Sequence, residues 1–262
     1  VKKAMPLPMD VRLMNFTANV LMVGVVLLAL VNGVGWGFGH PMFAIQSINV
    51  HGEVSRNNAV TLKANVMPRL SGNFFTLDLD VARQAFESVP WVRSAVVRRD
   101  YPNHLYVVLQ EHRPVALWGH EDANTMVNQQ GQVFEANADE SDVEDLPRMK
   151  GPEGLSSEVM KMYQYLHPSF DAMDMGIDQL ELTPRGSWRV LTKTGAWLEL
   201  GRGKEAEVGA VVQVFFKTLS QVTARYGRTP TSLVGADLRH KDGYALRLQG
   251  VNTVETDGKR KS

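Results

Sequence analysis

Cysteine is absent from the 262 residues, which excludes disulfides, a thiol nucleophile, a Cys-ligated zinc, a haem or bilin thioether and a lipoprotein acyl anchor. A basic excess is also missing. Lys plus Arg and Asp plus Glu number 28 each, whereas a nucleic-acid binder ordinarily carries surplus cations to neutralise phosphates. A composition that is 44% hydrophobic and 21% charged rules out collagen-like, mucin-like and wholly disordered chains and leaves enough apolar material to bury a core. The last absence is local: no Asp, Glu, Lys or Arg occurs in the 40 residues between Arg12 and Glu53.

That charge-free stretch holds the first element. From Phe16 to Phe38 the chain is dominated by Val, Leu, Met, Ala and Gly, and 23 helical positions make about 34 Å, enough to cross a bilayer. A buried core helix of this length would keep a polar face, and a cleaved signal peptide would have a shorter apolar region and a small-x-small site. An uncleaved single-pass anchor fits better. Lys2, Lys3 and Arg12 precede the span and the next basic residue is Arg56, so the positive-inside rule puts the N-terminus in the cytoplasm. Beyond the span, 25 basic and 27 acidic residues remain, predicting a near-neutral extracytoplasmic body. Trp36 and Phe38 suit an outer aromatic belt. Gly33, Gly35, Gly37 and Gly39 either let a second helix approach closely or merely loosen the helix end.

Short runs follow. Ile45 to Val50 reads as a strand. A helix comes next, capped by Ser55 or Asn57, with Val60, Ala64 and Met67 at helical spacing and Pro68 as its stop. Asp78 or Asp80 caps a second helix whose Leu79, Ala82, Phe86 and Val89 share a face, ended by Pro90. Strands Trp91 to Arg98 and Leu105 to His112 flank a turn of Asp100, Tyr101, Pro102 and Asn103. Leu105, Val107 and Leu109 alternate with Tyr106, Val108 and Gln110, the period of a sheet with one face on a core. The order is β-α-α-β-β, an α+β module with helices on one face of the sheet.

After Pro114 the chain again reads as strands: Val115 to Trp118, Met126 to Asn128 and Val133 to Glu135, the last two joined through Gln129, Gln130 and Gly131. Six acids and no base occupy Glu135 to Asp145, a solvated loop without the ligand spacing of a calcium site. Ser156 or Ser157 caps a helix bearing Val159, Met160, Tyr163 and Leu166. Further strands are predicted at Ile177 to Leu182, Trp188 to Thr192 and Ala196 to Leu200. A longer helix from Lys204 to Tyr226 carries a broad apolar stripe of Val208, Val211, Val212, Phe215, Phe216, Leu219 and Val222. Strands Leu233 to Leu238 and Tyr244 to Leu248 close the module, and the tail after Gly250 is polar and basic.

Signatures of chemistry are missing. There is no GxSxG, SxxK, HExxH or Walker A, and GRGKE at Gly201 to Glu205 has the wrong spacing. The seven histidines are scattered. Neither a catalytic residue, a metal site nor a cofactor site is predicted, and a wall-hydrolase reading finds no site to rest on.

The stretches INVHG, LDLD and VPWVRSAVVRRDYPNHLYVVLQEHRPVALW resemble the POTRA domain, and narrowly that of the FtsQ/DivIB family of bacterial cell-division proteins. MVNQQGQVF, LPRMKGPEG, WRVLTKTGAWLELGR and VGADLRHKDGYALRL resemble the second domain of that family. The resemblance implies a cytoplasmic tail at 1–15, a transmembrane helix at 16–38, a POTRA domain at 43–113, a β domain of mixed sheet and covering helices at 114–250 and a flexible tail at 251–262. It implies a non-enzymatic scaffold of the divisome at the inner membrane and division site. In that family the last strand of the β domain receives a segment of FtsB, which travels with FtsL, and the complex influences the septal synthase FtsW with FtsI. The matching surface here is Arg202, Arg239, His240, Asp242, Gly243 and Leu248, with Tyr244 and Leu246 on the same strand. Arginines there would pair with acidic side chains of the arriving segment. His240 and Leu248 stand where relatives often carry Tyr and Trp, so Tyr244 is expected to supply part of the aromatic contact. A contrasting reading is a POTRA-containing chaperone or transport component of the envelope, although about 135 residues after one POTRA leave little room for a barrel.

Overall fold

The computed structural model describes residues 9–38, 40–56, 59–120, 124–139, 143–240 and 243–251. It opens on helix α1 (Met9–Phe38), of which Met9–Gly33 has a mean hydropathy of 2.1 and is long and apolar enough to cross a membrane. Leu13, Met14, Met22 and Val23, spaced around its whole circumference, are all exposed. An apolar helix without a polar face or a protein cover is matched to lipid rather than water. Helical structure begins at Met9, earlier than Phe16, and so takes in part of the expected tail.

By internal contacts the chain divides into two compact units, up to Glu111 and from His112 onward. In the first, strands β1 (Ser47–Gly52), β2 (Val92–Asp100) and β3 (His104–Glu111) form a sheet of order β1-β3-β2. The central strand β3 runs parallel to β1 and antiparallel to β2. Leu105, Val107 and Leu109 are buried against helices α2 (Ala59–Val66) and α3 (Leu79–Glu87), as their alternation predicts. Asp78, not Asp80, caps α3, its carboxylate accepting from the amides of Asp80 and Val81. That arrangement satisfies donors a helix start leaves open.

The stripe expected on α2 is corrected. Leu62 and Val66 enter the core, while Val60, Ala64 and Met67 are exposed. Asn57, one of the two cap candidates, lies outside the described residues. Gly52 has φ +97°, and a Cβ there would sit 2.3 Å from the carbonyl oxygen of Leu109. Only glycine allows β1 to leave the sheet at this point.

The second unit is one nine-stranded sheet, built from β4 (Pro114–Trp118), β5 (Thr125–Asn128), β6 (Val133–Glu135), β7 (Arg148–Lys150), β8 (Ile177–Leu182), β9 (Trp188–Thr192), β10 (Trp197–Gly201), β11 (Leu233–Asp237) and β12 (Ala245–Leu248). Its order is β12-β11-β10-β9-β8-β7-β4-β5-β6. Helices α4 (Ser156–Asp171) and α5 (Glu205–Arg225) bury Met160, Leu166, Phe170, Val212, Phe215 and Leu219 with the inward residues Leu180, Val190 and Leu198 in one core. The two helices approach closely at Gly209, where a Cβ would lie 2.3 Å from the Tyr165 ring. Within the expected stripe of α5, Val211 remains partly outside, 38% exposed.

Two further expectations are corrected. Residues Arg148–Lys150, within the LPRMKGPEG stretch for which no strand is predicted from the sequence, form β7, parallel to both β4 and β8. Neither Ser156 nor Ser157 caps α4: Leu155 occupies the cap position without a side-chain bond, and the Ser156 hydroxyl donates instead to the Gly131 carbonyl at 2.7 Å.

A candidate partner-binding edge

The crossover made by α5 sets β11 parallel to β10, and β12 then folds back antiparallel on β11, pairing Leu246 with Ala236 and Ala245 with Asp237. Among the described residues nothing pairs with its far side, so β12 is an edge of the sheet. An edge strand presents unpaired N–H and C=O groups on which another strand can be added. Among the described residues no side chain is hydrogen-bonded to the backbone of β12.

Two kinds of surroundings lie near that edge. Where β10 ends, an open cleft of about 780 Å³ gathers Arg185, Arg189, Arg202, Arg239 and His240 with Glu181 and Glu199. Three of the expected residues, Arg202, Arg239 and His240, thus share one cleft. Cross-strand pairing explains its charge order. Glu181, Arg189, Glu199 and Asp237 face one another in register across four strands, and Arg189 is ion-paired with Glu199 at 2.8 Å.

Arg239 is not a free cation. Its Nε donates to Oδ1 of Asp237 at 2.8 Å, a second guanidinium nitrogen reaches Oδ2, and its backbone N–H also donates to Oδ1 at 3.0 Å. This fork holds the Asp237 carboxyl down at about 2, with the side-chain hydrogen bond as the main cause, and raises the Arg239 guanidinium above its ordinary value. Arg185 and Arg202 are exposed and carry no ion pair among the described residues, so the uncompensated positive charge of the cleft is theirs. An acidic side chain arriving there meets guanidiniums with open donors.

On the helix side, a hollow of about 260 Å³ is lined by Val211, Val214, Phe215, Leu238, His240 and Tyr244. Another, of about 810 Å³, lies between Val222 of α5, Tyr226 just beyond that helix, Tyr244 just ahead of β12, and Leu246, Arg247 and Leu248 of the strand. Tyr244 separates the two. Its hydroxyl is 2.7 Å from the Thr218 hydroxyl and its ring stands edge-on to Phe215 at 4.9 Å, so it ties the start of β12 to α5 rather than standing free as an aromatic contact. Leu248 is 4% exposed and belongs to the core. It brings backbone, not side chain, to the edge. Leu246 is half-buried and Gly243 exposed; Asp242 lies outside the described residues. The reading from sequence missed Arg185 and the exposed Val214, although the charge alternation along β9 and β10 was a signal for the cleft. Among the described residues no three or more His, Asp or Glu converge as a metal site.

A five-element β-α-α-β-β module followed by a mixed sheet with an open terminal edge defines a POTRA-bearing, two-module protein with an apolar N-terminal helix. The description "POTRA domain, FtsQ-type" matches residues 43–112, and "Cell division protein FtsQ/DivIB, C-terminal" matches residues 116–239. The cell division protein FtsQ of Burkholderia pseudomallei is 37% identical over 96% of this chain and 98% of its own length. FtsQ of Bordetella pertussis is 39% identical over 91% of this chain and 92% of its own, and FtsQ of Thiomonas arsenitoxydans 37% identical over 94% and 90%. The chain belongs to the FtsQ/DivIB family of cell-division proteins.

Proposed function

We propose that this chain is a bitopic scaffold that works by contact rather than catalysis, and that it binds FtsB, accompanied by FtsL, by adding a strand of the partner to β12. Through that complex it influences FtsW and FtsI at the septum. The observation that carries the reading is the position of β12 at the edge of the sheet, bordered by two hollows, with the arginine cleft beyond the end of β11. Main-chain hydrogen bonds supply affinity in such additions, and flanking pockets select the side chains that arrive. Arg202 and Arg185 receive acidic groups, and Arg239, held by Asp237, stiffens the exit of β11. In this arrangement the helix within 16–38 crosses the inner membrane with the N-terminus inside, as Lys2, Lys3 and Arg12 favour. The POTRA domain of 43–113 and the β domain of 114–250 face the periplasm.

The test is binding of the full chain to the periplasmic segments of FtsB and FtsL, comparing the parent with Leu246→Pro and Arg202→Glu. Proline removes a ladder donor and distorts the edge, so binding is lost while circular dichroism reports an intact fold. Arg202→Glu weakens binding, more at low salt than at high salt. Undiminished binding by a folded Leu246→Pro chain removes strand addition from the account.

A further inference from the structure

A second surface stands at the end of the first module nearest the anchor. The chain leaves α1 at Phe38 and enters a single 3-10 turn, Pro41–Phe43, with the His40 imidazole accepting from the Met42 amide at 3.3 Å and Trp36 edge-on to His40. Phe43 is then fastened to the loop before α3: its carbonyl accepts from Phe74 N–H at 2.8 Å, and its ring meets Phe75 edge-on at 4.9 Å. Arg99, near the end of β2, donates to the carbonyls of Phe74 and Leu77, both at 2.6 Å, and so fixes that loop to the sheet. The turn between β2 and β3 lies at the same end, because Ser47 pairs with His104 and Gln46 N–H donates to the Asn103 carbonyl. Tyr101 at its tip faces Phe74 at 6.1 Å.

The result is a fixed apolar cluster that, among the described residues, the fold leaves partly exposed. Met42 is 62% exposed, Phe75 41% and Tyr101 75%. Rings held in place by backbone bonds and a guanidinium, yet left in water, indicate an apolar surface waiting for a cover. The chain itself says which cover is within reach. Met42 follows Phe38 by four residues, at most about 14 Å of extended chain, and the headgroup layer on each side of a hydrocarbon core is about 5–8 Å deep. Tyr and Trp concentrate at that depth, where the ring sits among acyl and glycerol groups and the polar end reaches water.

We propose that this end of the POTRA module, presented by Met42, Phe75 and Tyr101, seats in the headgroup region of the same bilayer that α1 crosses. The proposal rests on the membrane-spanning reading of α1. It makes the first module a monotopic contact that restrains its own tilt on the membrane, beyond its role as a spacer carrying the second module.

The absence of cysteine makes the test direct. Single variants Leu27→Cys, Tyr101→Cys and Val96→Cys of the full chain are labelled with an environment-sensitive fluorophore in vesicles of phosphatidylethanolamine and phosphatidylglycerol. Nitroxide lipids then quench from either the headgroup or mid-chain. Val96 is an exposed position in the middle of β2 and serves as the comparison. The expected result is mid-chain quenching at Leu27 and headgroup quenching at Tyr101 at least twofold stronger than at Val96. The Tyr101 signal should fall to the Val96 level when Met42 and Phe75 are both changed to Ser. No quenching at Leu27 removes the spanning reading, and the proposal with it. Quenching at Leu27 with equal signals at Tyr101 and Val96 overturns the proposal alone. Shielding of Tyr101 that appears only when other membrane proteins are added also overturns it, since the cover is then protein.

Discussion

The two sheets treat their edges differently. In the first module the edge strand β2 gives its Ala95 amide to the Glu87 carboxylate of α3 at 3.2 Å, and Glu87 is itself near Arg83. In the second module the edge strand β12 carries no such side-chain bond among the described residues and is bordered by hollows instead. A long free edge invites unwanted pairing, and natural sheets blunt it with charges, bulges or covers. One edge is closed with a carboxylate. The other is left ready, which is what a docking strand requires.

Removing the ring at the centre of the closed module, by Phe86→Ala, is expected to have the largest effect on stability, about 3–5 kcal/mol, because Phe86 is almost completely buried. Hydrogen exchange should accelerate throughout β1 to β3 while β8 to β12 keep their protection. Loss of protection in both would show that the units do not fold independently. Leu246→Pro should remove a ladder donor and loosen β12 locally and abolish partner binding, measured by calorimetric titration. Glu87→Ala should cost roughly 1 kcal/mol and, more tellingly, open β2. Concentration-dependent association in sedimentation is the expected sign, and a strictly monomeric Glu87→Ala chain would show that the carboxylate does not guard that edge.

The smallest effect concerns pH. The Asp237 carboxyl is lowered from 3.8 to about 2 by its fork with Arg239, so the folded state binds this proton less readily than the unfolded chain. The stabilisation is present above about pH 4 and lost as the pH falls toward 2. Arg239 is more than half exposed, so solvent screens the pair and keeps the contribution small. Urea midpoints of the parent and Asp237→Asn should therefore differ at pH 6 and converge near pH 2; a constant difference would remove the fork as its cause.

Strong periodicities carried from sequence to structure. Leu105, Val107 and Leu109 in a strand, and Val208, Val212, Phe215 and Leu219 on a long helix, are patterns that only one face-on packing satisfies. The α2 helix did not carry over, because eight residues containing Val, Leu, Ala and Val offer two apolar faces and tertiary packing chose Leu62 and Val66. Strand β7 escaped because one buried residue, Met149, between the charged Arg148 and Lys150 is too short a run to register as a period. Its place comes from parallel partners at Leu117 and Gln179. The residues of the candidate edge were legible as a group, yet their roles were not. That Arg239 is bound by Asp237 two positions earlier is local turn chemistry, since Asp237 ends β11 and its carboxylate accepts the amide two residues on. The retention of Tyr244 by Thr218 and Phe215 depends on how α5 crosses the sheet, which no local window contains.

The crossover through α5 also sets a timetable. Each partner that β12 needs, from β10 through β11, precedes it in the order of synthesis. The helix that ties Tyr244 is likewise made earlier. On the proposed reading the docking edge is therefore complete only once synthesis has passed residue 248, and recruitment of a partner there would report that it has.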